Sequence, residues 1–94
     1  MTKAEIVSSI SEAIGLTKVD TEAVVNGFIY SIGDSLKNGK GVEIRGFGTF
    51  RVREKKARIA RNPRTGEKVM VPKKLVPSFK PSRELKQLIN SGSE

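Results

Sequence analysis

The sequence predicts an α+β fold in which an N-terminal helix pair is followed by a three-stranded antiparallel sheet with a long protruding β-hairpin arm, and then by a short C-terminal helix. Two observations support this prediction. Apolar residues recur at helical spacing over the first 38 residues, and short β-type runs separated by glycine and proline turns follow them. The positive charge of the chain is concentrated in residues 51–74, where two β-capable runs flank a turn.

Two helices are expected before residue 39. Thr2 and Glu5 have the spacing of a capping box, and the apolar residues after them recur every three or four positions until Gly15. Thr17 can cap a second, longer helix whose apolar residues step every four positions along one face. These residues are Val24, Phe28, Ile32 and Leu36. The glycine-rich segment 38–41 is expected to end this helix.

Two helices joined by a short turn also fit a helix-turn-helix, in which the second helix enters the major groove of DNA. The second helix, however, contains two lysines and three acids. Its acids are Asp20, Glu22 and Asp34. Because such a helix would meet phosphates with a net negative charge, we expect instead an antiparallel helix pair that buries its apolar faces.

A half-buried strand is expected from Val42 to Arg45, where apolar and polar residues alternate. The next segment, Gly46–Phe50, places glycines on both sides of an aromatic residue, which indicates a tight turn or bulge before the next strand. The four phenylalanines of the chain all lie outside residues 51–74. We interpret them as core or dimer-interface residues, since a base-stacking platform requires exposed aromatic rings.

Residues 51–74, which we call the arm, are predicted to form a basic β-hairpin. Ten bases and two acids give the arm a net charge of +8, which equals the net charge of the whole chain. Its two runs flank a turn in which Asn62, Pro63 and Gly66 are favoured residues. Strands of about ten residues, at about 3.3 Å each, would carry the tip about 30 Å from the body of the protein. A surface with this charge indicates an anionic partner.

The chain after the arm is expected to return as an extended edge segment, Leu75–Pro81, because its prolines lack an N–H group for sheet pairing. Ser82 can cap a short last helix from Arg83 to about Ile89. Its inward-facing residues would be Leu85, Leu88 and Ile89. The five residues 90–94 have the composition of a frayed tail.

Three bases, Lys80, Arg83 and Lys86, surround the predicted start of this last helix. Backbone N–H groups at a helix start also favour an anion, so the three side chains fit an anion-binding site. Ordinary solvation of exposed basic side chains explains each of them equally well. The residues alone leave both interpretations open.

The composition excludes several classes of protein. The absence of cysteine and histidine excludes a thiolate nucleophile, a zinc finger and the usual general base. A binding protein without a metal or cofactor is therefore favoured over an enzyme. No apolar run approaches the length of about 18 residues of a membrane span, and the N-terminus lacks a signal-peptide pattern, so we expect a soluble intracellular protein. About 70 residues outside the arm are close to the minimum for a core without disulfides, which favours a dimer.

The order of these elements resembles the HU/IHF family of bacterial DNA-bending proteins. Two motifs carry the resemblance, and together they are highly specific. They are Gly-Phe-Gly-Thr-Phe at residues 46–50 and Arg-Asn-Pro-x-Thr-Gly at residues 61–66. The resemblance covers essentially the whole chain.

This resemblance implies one domain over residues 1–94, in which residues 1–50 and 75–94 form a dimerising body and residues 51–74 form the DNA-binding arm. It also implies a cytoplasmic protein of the bacterial nucleoid. Its intertwined dimer would bind double-stranded DNA in the minor groove and bend or compact it with two proline-tipped arms. Direct readout of the bases would be slight, because the minor groove distinguishes little beyond A·T from G·C.

The resemblance also implies roles for individual residues. Pro63 would be the wedge between base pairs, although the pattern alone also explains it as an ordinary turn proline. Its neighbours in the minor groove would be Arg61, Asn62 and Arg64. The arm bases expected at phosphates are Arg53, Lys55, Arg58, Lys68, Lys73 and Lys74. The body residues expected to hold flanking DNA are Lys3, Lys80, Arg83 and Lys86. The dimer core would contain Phe47, Phe50 and Phe79.

Several alternatives stay open at this point. HU-like members of the family bind with little sequence preference and favour bent, nicked or gapped duplexes, whereas IHF-like members bend particular sites. A homodimer and a heterodimer with a paralogue are both compatible with the chain. An RNA-binding hairpin would use the same charge without requiring Pro63 or a dimer. A membrane surface is disfavoured because the bases lie on predicted strands and not on an amphipathic helix.

Overall fold

The structure is a computed structural model that describes residues 1–91. In chain order its elements are α1 (Lys3–Ile14), α2 (Lys18–Lys37), β1 (Val42–Ile44), β2 (Gly48–Lys55), β3 (Arg58–Arg61), β4 (Lys68–Val71), β5 (Lys74–Pro81) and α3 (Arg83–Ser91). The predicted α+β class is confirmed. The described chain divides into two compact units, Met1–Ser35 and the part that begins at Leu36.

The first unit begins with α1, which starts and ends where the sequence predicts. The Thr2 hydroxyl oxygen accepts a hydrogen bond from the Glu5 backbone N–H at 3.2 Å. The helix ends at Gly15, whose N–H donates to the Ser11 carbonyl at 2.9 Å. The Ser11 hydroxyl then donates to the Leu16 carbonyl at 2.6 Å, which fixes the turn that leads to α2. Each end of α1 is therefore held by local hydrogen bonds.

The second helix is capped by Thr17, whose hydroxyl oxygen accepts from the Asp20 N–H at 3.1 Å. Thr21 is buried and donates its hydroxyl to the Thr17 carbonyl at 2.8 Å. The expectation that the helix pair buries its apolar faces is wrong for the single chain, since Val24 is exposed and Phe28 is 54% exposed. The physical reason is that two helices can cover only one side of each other, and the side chains buried in this unit are those of Val7, Ser11 and Thr21.

The second unit contains an antiparallel sheet in the order β1-β2-β5. β5 lies at an edge, as its prolines predict, and Phe50 of β2 lies opposite Phe79 of β5. A Cβ atom on Gly48 would lie 2.5 Å from the Phe79 ring and 2.7 Å from the Lys80 carbonyl oxygen. Only glycine therefore permits this close approach of β2 and β5.

The last helix is capped by Ser82, whose hydroxyl oxygen accepts from the Leu85 N–H at 3.0 Å. The helix continues to Ser91, beyond the predicted end, so residues 90 and 91 do not belong to a frayed tail. Residues 92–94 of the predicted tail lie outside the described residues. Leu88 and Ile89 are exposed, and the expectation that they face inward is wrong for the single chain, because no element of their own unit covers them.

Among residues 1–91, no helix combines the length and the apolar character needed to cross a membrane. The same residues bring together no group of three or more His, Cys, Asp or Glu side chains that could hold a metal ion.

Candidate nucleic-acid interface

The arm is a single ribbon with one interruption. The β2–β5 ladder ends at Lys55 opposite Lys74, and the β3–β4 ladder continues in the same register. The interruption therefore consists of residues 56–57 on one strand and residues 72–73 directly across from them. Pro72 has no N–H to donate to the ladder, which accounts for the interruption at this point.

The tip of the arm is closed by hydrogen bonds centred on Asn62. Its N–H donates to the Glu67 carbonyl and its carbonyl accepts from the Gly66 N–H, both at 2.8 Å. Its side-chain oxygen accepts from the Arg64 N–H at 2.9 Å. Gly66 has φ of 75°, a conformation that favours glycine. This network holds the turn while it leaves the Pro63 ring exposed.

Alternation along the paired strands sorts the side chains of the arm onto two faces, because residues directly opposite each other share a face. We call the face that contains Lys55 and Lys74 the cationic face. In the β2–β5 ladder its bases are Arg51, Arg53, Lys55 and Lys74, and it carries no acid, whereas the opposite face of that ladder carries the acid Glu54 and no base. The hydrogen-bonding phase reverses at the interruption, because Pro77 and Pro81 occupy non-hydrogen-bonded positions of the first ladder, whereas the Asn62 N–H donates to the Glu67 carbonyl beyond the second. In the β3–β4 ladder Arg58 therefore lies on the cationic face, and Arg61 and Lys68 lie on the opposite face. The charge of the β2–β5 part of the arm is thus one-sided.

An ion pair joins the interruption to the opposite face of the β2–β5 ladder. The Lys73 Nζ atom lies 3.3 Å from the Glu54 carboxylate. Both side chains are more than half exposed, so this pair adds little to stability, but it places a negative charge next to a base. Of the six arm bases expected at phosphates, four lie on the cationic face, Lys68 lies on the opposite face, and Lys73 lies in the interruption. The four are Arg53, Lys55, Arg58 and Lys74.

An open groove in the second unit is lined by β1, β2, β5 and the start of α3. It brings Lys80 and Arg83 together, as the anion-site interpretation of these residues requires. Arg45 and Arg51 line the same groove, although the sequence analysis gave them no role. Apolar and polar residues alternate along β1, and Arg45 follows the apolar Ile44. This pattern could have indicated that the Arg45 side chain is exposed beside the strand. Two glutamates also line the groove, so its bases are partly balanced by acids.

The two remaining body bases lie elsewhere. Lys86 is exposed on α3, three residues after Arg83 and therefore on a neighbouring part of the helix surface. Lys3 belongs to the first unit, where its Nζ atom donates to the Asn26 side-chain oxygen at 2.8 Å. Asn26 is uncharged, so this contact does not neutralise the positive charge of Lys3.

The three phenylalanines expected in the dimer core form one cluster in the second unit. The ring centroids of Phe50 and Phe79 are 4.7 Å apart, and those of Phe47 and Phe79 are 5.2 Å apart. These distances are typical of packed aromatic pairs. Phe47 and Phe79 nevertheless keep about two-fifths of their surface exposed, at 41% and 39%. The cluster therefore presents apolar surface to whatever lies over it.

Sequence comparison relates this chain to known proteins. Residues 1–90 match the family model described as bacterial DNA-binding protein. The chain is 45% identical to the integration host factor subunit beta of Halorhodospira halophila, over 97% of this chain and 90% of that protein. It is 43% identical to the DNA-binding protein HU 1 of Bacillus subtilis, over 95% of this chain and 97% of that protein.

Structural comparison leads to the same group of proteins. The Anabaena HU protein in a cocrystal with DNA matches with a TM-score of 0.89 and 35% identity, over 95% of this chain and 97% of that one. The HU protein of Thermotoga maritima matches with a TM-score of 0.69 and 26% identity, over 95% and 98%. The chain therefore belongs to the HU/IHF family of bacterial architectural DNA-binding proteins.

Proposed function

We propose that the chain acts as a dimer that binds double-stranded DNA in the minor groove and bends or compacts it with its two arms. The observation that carries this proposal is the charge of the arm, which combines five bases and no acid on one face of its paired strands with an exposed proline at the tip. Bases spaced along a ribbon neutralise successive phosphates, and a rigid apolar ring is suited to unstacking a base step. The cocrystal of the related Anabaena protein with DNA supports the proposal.

Each predicted residue has a role in this proposal. Pro63 is the wedge, with Arg61, Asn62 and Arg64 beside it in the minor groove. The cationic face turns toward the phosphates, and Lys73, which pairs with Glu54, contributes less than the other bases. The bases that meet phosphates are Arg53, Lys55, Arg58, Lys68, Lys73 and Lys74. The residues that hold flanking DNA are Lys3, Lys80, Arg83 and Lys86.

A second chain is proposed because each unit leaves large apolar side chains exposed. These include Phe28 in the first unit and Phe47 and Phe79 in the second. Packing these surfaces against a partner would remove them from water, which is the main favourable term in association. The alpha and beta subunit names of the relatives support a heterodimer with a paralogue, and the HU relatives leave a homodimer as the alternative.

The proposal also concerns the form of DNA and the place of action. Bent, nicked or gapped duplexes should bind more tightly than straight ones, because less deformation energy is spent in bending them. The protein would act on the bacterial nucleoid in the cytoplasm, with little direct base readout. It would need no cofactor and would have no enzymatic activity.

A fluorescence-transfer assay tests the proposal on a duplex of about 35 base pairs labelled at both ends, which resists bending when free. We expect the ends to approach when the wild-type protein binds, and to approach much less with Pro63→Ala at equal occupancy. Pro63→Val is the matched control. It removes the proline ring but keeps a larger apolar side chain, so it should retain more bending than Pro63→Ala if the wedge acts through apolar bulk.

Binding of the wild-type protein without any approach of the ends would contradict the proposal. The arm would then be a clamp for polyanions, and competition with an RNA duplex would be the next measurement.

A further inference from the structure

We propose that the Asn62 side chain makes the tip of each arm avoid G·C pairs next to the wedge. The turn orients its amide so that N–H donors are left for a ligand, and these donors fit the acceptors on the minor-groove edge of an A·T pair. This inference rests on the proposed binding of the arm in the minor groove. It adds a limited preference among base pairs to a protein whose direct base readout is otherwise slight.

The polar groups of Asn62 are almost all used within the turn. Its backbone N–H donates to the Glu67 carbonyl and its backbone carbonyl accepts from the Gly66 N–H, both at 2.8 Å. Its Oδ1 atom accepts from the Arg64 N–H at 2.9 Å. Only the oxygen of an amide can accept from an N–H group, so this bond determines which end of the side chain faces the turn. The group that remains for a ligand is Nδ2, which carries two N–H donors and no acceptor.

The position of Asn62 places these donors next to the wedge. Asn62 is half-buried at the tip and directly precedes the exposed Pro63. Neighbouring Cα atoms lie about 3.8 Å apart, and successive bases of one DNA strand lie about 3.4 Å apart. When Pro63 enters a base step, the Nδ2 group is therefore within reach of one of the two base pairs that border the step.

The two kinds of base pair offer different groups to an N–H donor. In the minor groove A·T and T·A pairs show only acceptors, which are A N3 and T O2. A G·C pair adds the exocyclic amino group of G, which is itself a donor. Two donors cannot bond each other, so contact between Nδ2 and this amino group leaves N–H groups without an acceptor, which costs free energy. The Asn62 amide therefore favours A·T pairs beside the wedge.

Two simpler explanations have to be separated from this one. Asn62 could serve only to close the turn, in which case its Nδ2 group would have no effect on the choice of base pair. A preference among base pairs could also come from the deformability of the DNA, which depends on its sequence. A preference of that origin belongs to the DNA and would be the same for every variant of the protein.

The test uses four DNA duplexes of about 35 base pairs that differ only in the base pairs on either side of a central nick, where the duplex bends most easily. These pairs are A·T, G·C, inosine·C and 2,6-diaminopurine·T. Inosine lacks the minor-groove amino group of G, and diaminopurine adds this group to A, while the major-groove edges stay the same. Dissociation constants are measured at one salt concentration, and bending is measured on the same duplexes by fluorescence transfer.

The variants remove the donors but keep the turn. Asn62→Asp retains an oxygen that can accept from the Arg64 N–H, and it replaces the Nδ2 donors with a second acceptor. The matched control, Thr65→Asp, adds the same charge to the tip and leaves the Asn62 amide unchanged. Its carboxylate can accept from the Glu67 N–H, as the Thr65 hydroxyl does at 3.3 Å. Asn62→Ser is a second, neutral variant whose hydroxyl can also accept from the Arg64 N–H.

We expect the wild-type protein to bind the A·T and inosine·C duplexes about fivefold or more tightly than the G·C and diaminopurine·T duplexes, the lower end of the usual cost of one unfavourable base pair. The ratio of the G·C to the inosine·C dissociation constant should fall by about the same factor in Asn62→Asp and in Asn62→Ser. Thr65→Asp should bind all four duplexes more weakly, because its negative charge repels phosphates, but it should keep the wild-type ratio within about twofold.

An unchanged ratio in the two Asn62 variants would overturn the inference, because the preference would then come from the deformability of the DNA. A fall of the same size in Thr65→Asp would overturn it as well, because the charge of the tip would then be the cause. A wild-type protein that bends all four duplexes and binds them equally would have the same consequence. Where Asn62→Asp binds too weakly to be measured, the ratio in Asn62→Ser decides between these outcomes.

Failure of the proposed function is recognised separately. The wild-type protein would then bind the nicked duplexes without bending them, and this inference would fail with it.

Discussion

The cationic face and the interruption can be compared by removing the same charge from each. Lys55→Ala/Lys74→Ala removes one directly opposed pair of lysines from the cationic face. Lys56→Ala/Lys73→Ala removes the adjacent pair, one residue nearer the tip on each strand, in the interruption where Lys73 contacts Glu54. Both double variants lose two positive charges per chain, so any effect of net charge alone is the same in both.

The expected magnitude follows from counterion release. Each phosphate contact contributes about 0.9 to the slope of log K against log salt, so two lysines on each of two arms contribute about 3.6. The slope of Lys55→Ala/Lys74→Ala should be smaller than that of the wild type by this amount. Its affinity deficit relative to the wild type should therefore shrink by about a hundredfold between about 50 mM and 200 mM salt. The slope of Lys56→Ala/Lys73→Ala should fall by less, because Lys73 already lies beside Glu54.

Fluorescence anisotropy of a labelled DNA duplex over a salt series measures these slopes. Thermal unfolding serves as the control for stability, and all four lysines are exposed, so the midpoints should differ little. Equal reductions of slope in the two variants would refute the assignment of the phosphate contacts to the cationic face. The arm would then bind by its total charge, and the register of its strands would be irrelevant to DNA.

Two further predictions concern the close approach of β2 and β5 and the interruption of the arm. Gly48→Ala should lower the free energy of unfolding by about 1–3 kcal/mol, because the new methyl group overlaps the Phe79 ring and overpacks this position. An unchanged denaturant midpoint would show that the ring moves freely. Pro72→Val adds the missing N–H group, which allows one more hydrogen bond across the interruption. Hydrogen exchange of the backbone amides at the interruption should therefore slow by about tenfold, the value of one hydrogen bond. Exchange at the wild-type rate would show that the interruption has another cause.

The helix ends and the tip of the arm could be predicted from the sequence because they depend on local hydrogen bonds. Thr2, Thr17 and Ser82 each accept the bond expected of a helix cap. Asn62 and Gly66 likewise close the tip by bonds within the turn. Such contacts join residues close in the sequence, so the residue types and their spacing are sufficient to indicate them.

Burial could not be predicted in the same way. Leu88 and Ile89 have the spacing of an inward-facing stripe, but spacing shows only that one side of a helix is apolar and not what covers it. The same applies to Phe28 on α2. Spacing predicts an apolar side on each helix, and the single chain leaves these side chains exposed.

The candidate site was predictable in composition but not in geometry. The bases of the arm are evident in the sequence, yet their division between two faces depends on the register between β2 and β5, which a turn motif alone does not establish. The interruption at Pro72 had a visible signal, since a proline inside a strand run disfavours continuous pairing. Arg45 and Lys80 come together in one groove only because β1 and β5 lie on either side of β2.

The alternation within each ladder determines how the arm can change in length. An insertion of one residue in each strand of the β3–β4 ladder, at Ala60 and Val69, would keep the strands paired but would turn everything beyond it to the other face, so Arg61 and Lys68 would no longer share a face with Ile59. Two residues added to each strand would preserve all the faces and lengthen the ribbon by about 6.6 Å. Working arms of different reach should therefore differ in length by steps of four residues, and designed variants should follow the same rule.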